Sequence, residues 1–179
     1  MENMISSAAE RADVRELAAR AVALLTERGL TVSCAESCTG GLLSAALTAI
    51  PGASAVYSGG CVTYNDEIKH RVLGVRRKSL KLHGAVSPQV AAEMAVGMRE
   101  RLGTDYALSV TGYAGPDGGD DKDPVGTVYI AVAGEKSTAV RRFSASPMRD
   151  RAYIRTVAAT NAILDALYLL SDAQYSQTK

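Results

Sequence analysis

The strongest constraint on this chain is its alternation of two periodicities, short apolar runs with the character of strands and longer stretches that repeat every third or fourth residue. Leu30 to Ala35, Tyr106 to Val110, Thr127 to Ala133 and Thr138 to Phe143 read as strands, with Gly134 near the turn between the last two. Ala55 to Tyr64 is also β-like but interrupted by glycines. Ser7 and Glu10 have the spacing of a capping box. Val14, Leu17, Ala18, Ala21, Leu24 and Leu25 then follow a helical period as far as a stop at Gly29. Gly40-Gly41 opens a second helix that ends before Pro51-Gly52. A charged helical segment runs from Asn65 to Leu73 and gives way to an irregular basic stretch. Ser87-Pro88 sets an N-cap before a proline at the first helical position, and Ala91, Met94, Ala95, Met98 and Leu102 share one face of the helix it starts. Ser146-Pro147 repeats that signature ahead of a long helix carrying Ile154, Val157, Ala158, Leu164 and Tyr168, and the tail from Gln174 is polar and expected to fray. Strands interleaved with helices predict a layered α/β domain around a mostly parallel or mixed sheet.

A chain of 179 residues fits one domain, of a size that buries roughly 70% of its unfolded surface without staples. Lys and Arg number 20 against 19 Asp and Glu, a net charge of +1 that gives no long-range pull towards nucleic acid or an anionic membrane. Eight tyrosines and one phenylalanine are too few for a base-stacking platform. Met1-Glu2-Asn3-Met4 has neither the basic nor the apolar region of a signal peptide, and no apolar run approaches the ~18 residues that span a bilayer. With an odd count of three cysteines, Cys34, Cys38 and Cys61, the expectation is a cytoplasmic chain with reduced thiols.

Chemistry concentrates in Glu36-Ser37-Cys38-Thr39-Gly40-Gly41. A strand that feeds a glycine-rich turn and then a helix presents backbone N–H groups at a helix N-terminus, where a phosphate or an oxyanion can bind. Ser37 or Thr39 could instead be a plain N-cap. As a nucleophile Ser37 needs a base. His70 and His83 lie in no triad context, and Lys69, if partly desolvated, could take the serine proton. A lysine on a charged helix is more often simply solvated. A second candidate site starts at Thr111-Gly112 and runs through Tyr113-Ala114-Gly115-Pro116-Asp117-Gly118-Gly119, where glycines allow close approach to a ligand or merely shape a surface turn. The candidate substrate-binding residues are therefore Glu36, Thr39, Gly40, Gly41, Thr111, Gly112 and Gly115. No Walker, dinucleotide or zincin motif is present, Cys34 and Cys38 lack two further metal ligands, and Arg76-Arg77-Lys78 reads as a solvated face.

Five segments in register resemble a known family, the C-terminal domain of the competence/damage-inducible protein CinA, also found as a stand-alone nicotinamide-nucleotide amidase. They are Ala35 to Gly41; Val62-Thr63-Tyr64 with Lys69; His83 to Ser87; Thr111-Gly112 with Ala114 to Gly119; and Pro124 to Val128. The resemblance implies a three-layer α/β/α sandwich, usually a homo-oligomer, with no metal or organic cofactor. It implies hydrolysis of the carboxamide of nicotinamide mononucleotide to nicotinate mononucleotide and ammonia. Ser37 would be the nucleophile and Lys69 its base, with Tyr64 nearby. Arg151, chosen by its spacing to Arg155, would bind or stabilise the anionic substrate. Two positions depart from the family pattern: Arg149 precedes Asp150-Arg151 where glycine is usual, and Tyr113 replaces isoleucine. Three other readings compete: Cys38 as the nucleophile, a nucleotide-binding module in competence or DNA-damage responses without turnover, and a hydrolase of another small amide.

Overall fold

The structure is a computed structural model that describes residues 13–146 and 148–176. The Ser7–Glu10 pair lies outside the described residues. Helix α1, Val14–Arg28, is capped by Asp13, whose carboxylate accepts the Arg15 N–H at 2.9 Å, and it stops at Gly29 in the left-handed conformation. Strand β1, Val32–Glu36, leads through the serine turn into α2, Leu42–Thr48, and a 3-10 turn at Ala53–Ala55. Next come β2, Tyr57–Val62; α3, Asp66–Leu73; α4, Arg77–His83; and α5, Pro88–Leu102. β3, Tyr106–Gly112, β4, Thr127–Ala133, and β5, Thr138–Ser144, complete the sheet before α6, Arg151–Ser176.

The five strands lie in the order β2-β1-β3-β4-β5, with β2, β1 and β3 parallel and β4 and β5 antiparallel to their neighbours. The sheet is thus mixed. β1 and β4 are buried at every position because helices cover both faces, which is why they read as unbroken apolar runs. On one face Val32, Cys34, Leu108, Val110, Val128, Ile130 and Val132 pack with α1, α2 and α6. On the other, Ala35, Ala107, Ala131 and Ala133 meet Leu73 of α3 and Val90, Met94, Ala95 and Met98 of α5. Among the described residues this is a three-layer α/β fold of five strands and six α-helices.

Two local expectations need correction. The basic stretch after Leu73 is a helix, α4, because Ser79 is buried with its hydroxyl donating to Glu93 Oε1 at 2.6 Å and Leu80 packs beside the α3–α5 core. Its apolar face is too short to show a period in the sequence. Ser146 does not cap the last helix: Asp150 does, its Oδ1 accepting the Tyr153 N–H at 2.7 Å. Ser146 closes only an isolated turn, its hydroxyl accepting the Met148 N–H at 3.3 Å and its carbonyl the Arg149 N–H at 3.1 Å, before α6 begins at Arg151. The last helix, α6, runs as far as Ser176 and so includes the first residues of the polar tail.

Candidate active site

From β1 the chain passes to β2 on one side, and β3 returns on the other, so the strand order reverses at β1. In open α/β sheets, ligands enter the crevice at such a point, beyond the carboxyl ends of the strands. The register places Val62 and Val110 beside Glu36, which brings Ser37, Thr63 and Thr111 to one level. Ser37 N–H donates to Val110 O at 2.9 Å, and Thr63 N–H donates to Glu36 O at 2.8 Å. Antiparallel β4 and β5 bring Thr127 and Ser144 to the same rim.

Lys69 reaches this point from α3, which Asn65 caps by accepting the Glu67 N–H at 2.8 Å. Its Nζ lies 3.2 Å from Ser37 Oγ and 2.9 Å from Thr63 O. A carboxylate, Asp66 Oδ1, stands 3.8 Å away on an exposed side chain. Lys69 is only 1% exposed, and burial holds its amine below the usual lysine pKa, against the opposite pull of Asp66. Nothing in the sequence required 32 residues to fold so that these two atoms meet; the two strand ends do it.

Tyr64 and Arg151 also come together. Arg151 Nη2 donates to the Tyr64 hydroxyl and Nη1 to Gly115 O, each at 2.7 Å, so one guanidinium ties the rims after β2 and β3. One turn further along α6, Arg155 donates from Nε to Cys38 O at 3.1 Å and from Nη2 to Thr39 O at 2.8 Å. In the sequence Arg155 served only to locate Arg151. Its i+4 spacing, which puts both arginines on one helix face, was the available signal.

Several expected binding residues are otherwise engaged. Glu36 is fully buried, and its carboxylate accepts N–H groups from Gly41 at 2.9 Å, Leu43 at 3.1 Å and Ser44 at 2.9 Å, besides the Ser44 hydroxyl. It therefore fills the helix N-terminus that a substrate anion was expected to occupy. The Gly41 amide is committed to it, and the Gly40 amide donates to Ser37 O at 3.1 Å. Thr111 is buried and bonds Ala85 O at 2.8 Å, while a side chain on Gly112 would meet Thr127 O at 2.6 Å. Thr39 is wholly buried, with a hydroxyl that has no hydrogen-bond partner among the described residues. In this turn the amides of Cys38 and Thr39 donate to no oxygen among the described residues, and they approach the Cys38 sulfur, a weak acceptor. Cys38 itself does not suit a nucleophile: burial pushes its thiol up to about 12. Among the described residues no cluster of three His, Cys, Asp or Glu could hold a metal ion, and no helix is long and apolar enough to cross a membrane.

A serine joined to a buried lysine at the strand ends of a mixed, three-layer sheet defines a class: an α/β domain with a Ser–Lys pair at its topological switch point. The chain belongs to the CinA C-terminal domain family, whose model matches residues 14–170. A CinA-like protein of Citrifermentans bemidjiense is 49% identical over 151 residues, covering 84% of this chain and 36% of that one. The chain spans about a third of the length of the curated relatives it matches. A competence/damage inducible protein from Agrobacterium tumefaciens superposes with a TM-score of 0.85 at 40% identity, covering 89% of this chain and 96% of its own. A CinA superfamily protein from Klebsiella pneumoniae gives 0.86 at 37% identity, covering 90% and 99%.

Proposed function

We propose that the chain hydrolyses a primary carboxamide through an acyl-enzyme on Ser37, and that the amide is that of nicotinamide mononucleotide. The observation that carries the reading is the 3.2 Å approach of a buried lysine amine to the serine hydroxyl. Burial keeps a fraction of Lys69 neutral, and a neutral amine is what can accept the serine proton. Ser37 Oγ attacks the carbonyl carbon while Lys69 takes its proton. Lys69 then hands that proton to the departing nitrogen, which leaves as ammonia. Water, deprotonated by the same amine, cleaves the ester and restores the serine. The amides of Cys38 and Thr39 are the remaining donors for the oxyanion, since those of Gly40 and Gly41 are used. The substrate is the one that the family resemblance implies, and Arg151, with no carboxylate partner among the described residues, supplies charge for its phosphate.

The test is ammonia release from nicotinamide mononucleotide without added metal. The parent turns over, and Ser37→Ala and Lys69→Ala each fall by at least about 1,000-fold while remaining folded. A folded parent that binds the nucleotide without releasing ammonia sinks the reading.

A further inference from the structure

Arg155 makes no contact that amide hydrolysis requires, yet it holds the turn where hydrolysis would occur. Its two donors go to consecutive main-chain carbonyls, Cys38 O and Thr39 O, directly after the nucleophile. A trans peptide is planar, so fixing the carbonyl of Cys38 also fixes the N–H of Thr39, and fixing that of Thr39 fixes the N–H of Gly40. The latter is the group that closes the turn onto Ser37 O at 3.1 Å. From the opposite end, Glu36 holds Gly41, Leu43 and Ser44 by their amides. The turn is thus gripped twice, a carboxylate taking its N–H groups and a guanidinium taking its C=O groups. Gly40 fits the same picture: its φ is +59°, and a side-chain carbon there would stand 3.0 Å from Arg155 Nη2. The arginine has no carboxylate partner among the described residues, so the carbonyls are what its charge serves.

We infer that Arg155 is a positioning residue, which sets the geometry of Ser37 and of the amides behind it without touching substrate. This rests on the reading of Ser37 as a nucleophile. A lysine at this position keeps the charge but lacks the planar fork that reaches two carbonyls at once.

The experiment measures three quantities in the parent, Arg155→Lys and Arg155→Ala: the rate at which a fluorophosphonate modifies Ser37, kcat and KM for ammonia release from nicotinamide mononucleotide, and the thermal midpoint. Misplacing reacting groups by about 1 Å costs about 100-fold. Arg155→Ala should therefore label about 100-fold more slowly, with kcat reduced equally and KM within about twofold. Added guanidinium ion should restore part of the rate, and Arg155→Lys should keep the thermal midpoint while recovering only part of it. A rise in KM with kcat unchanged would assign Arg155 to substrate binding and overturn the proposal. So would unchanged labelling, or a labelling loss in Arg155→Ala that guanidinium cannot restore and Arg155→Lys does not share. A parent that labels at Ser37 yet releases no ammonia sinks the substrate but leaves the role of Arg155 readable from labelling. A parent that does not label overturns both.

Discussion

Lys69 stands between two opposed influences. Burial disfavours its ammonium form, and Asp66, one helical turn earlier, favours it; burial is the larger and the amine titrates below its ordinary range. A base must be neutral to accept a proton, so kcat/KM should rise with pH as Lys69 loses its proton. Asp66→Asn removes the group that favours the charged form, so the amine's pKa falls further and the acid limb of the profile moves to lower pH. The pH dependence of kcat/KM in parent and variant checks this, and a shift to higher pH would refute the placing of Lys69 as the base. Ser37 was legible as a residue because a hydroxyl after a strand and before two glycines stands out. The fate of Glu36 was not, because three amides converge on its carboxylate only after α2 has formed.

Between elements, α5 meets the end of α3 at Gly97, with no room for a side chain. A side-chain carbon on Gly97 would lie 1.8 Å from Leu73 O, a backbone atom that cannot swing aside. Gly97→Ala gains about 1 kcal/mol of helix propensity and costs about 3 kcal/mol in overpacking. A net loss near 2 kcal/mol should appear in urea unfolding, with activity falling because α3 carries Lys69. Helix existence was readable where a cap and a period coincided. At α5 the Ser87 hydroxyl accepts the Val90 N–H at 3.3 Å, as its Ser-Pro start predicts. The same dipeptide misled at residue 146, since a local signature cannot know that Asp150, four residues on, takes the cap of the last helix.

At the scale of the molecule, the outer strand β5 is pinned to α6 by a pair that the site does not use. Arg141 Nε lies 2.8 Å from Asp165 Oδ1 and 3.0 Å from Oδ2, and Nη2 bonds Asn161 Oδ1 at 2.8 Å. The pair is mostly buried, and burial raises the Asp165 carboxyl even with the guanidinium against it. Arg141→Ala leaves that carboxylate buried without its partner and should cost about 3 kcal/mol in urea unfolding. The folded variant should keep its turnover, because Arg141 is paired opposite Ile130 in mid-strand, away from the rim at Ser144. A loss of turnover in folded protein would show that the sheet edge is coupled to the site.

What the amino-acid order determined by itself was the set of elements and the residues able to do chemistry. Strand and helix periods, glycine stops and a serine in a glycine-rich turn are encoded within a few residues of one another. Only the tertiary structure decided who meets whom. Lys69 becomes a partner of Ser37 because parallel β1 and β2 end side by side and α3 folds back over them. Arg155 becomes a clamp on Cys38 and Thr39 because α6 packs beside α2, 116 residues along the chain from Thr39. The helix N-terminus that looked open to an anion is closed by the protein's own carboxylate. These outcomes depend on distances between elements far apart in sequence, and no local pattern carries that information.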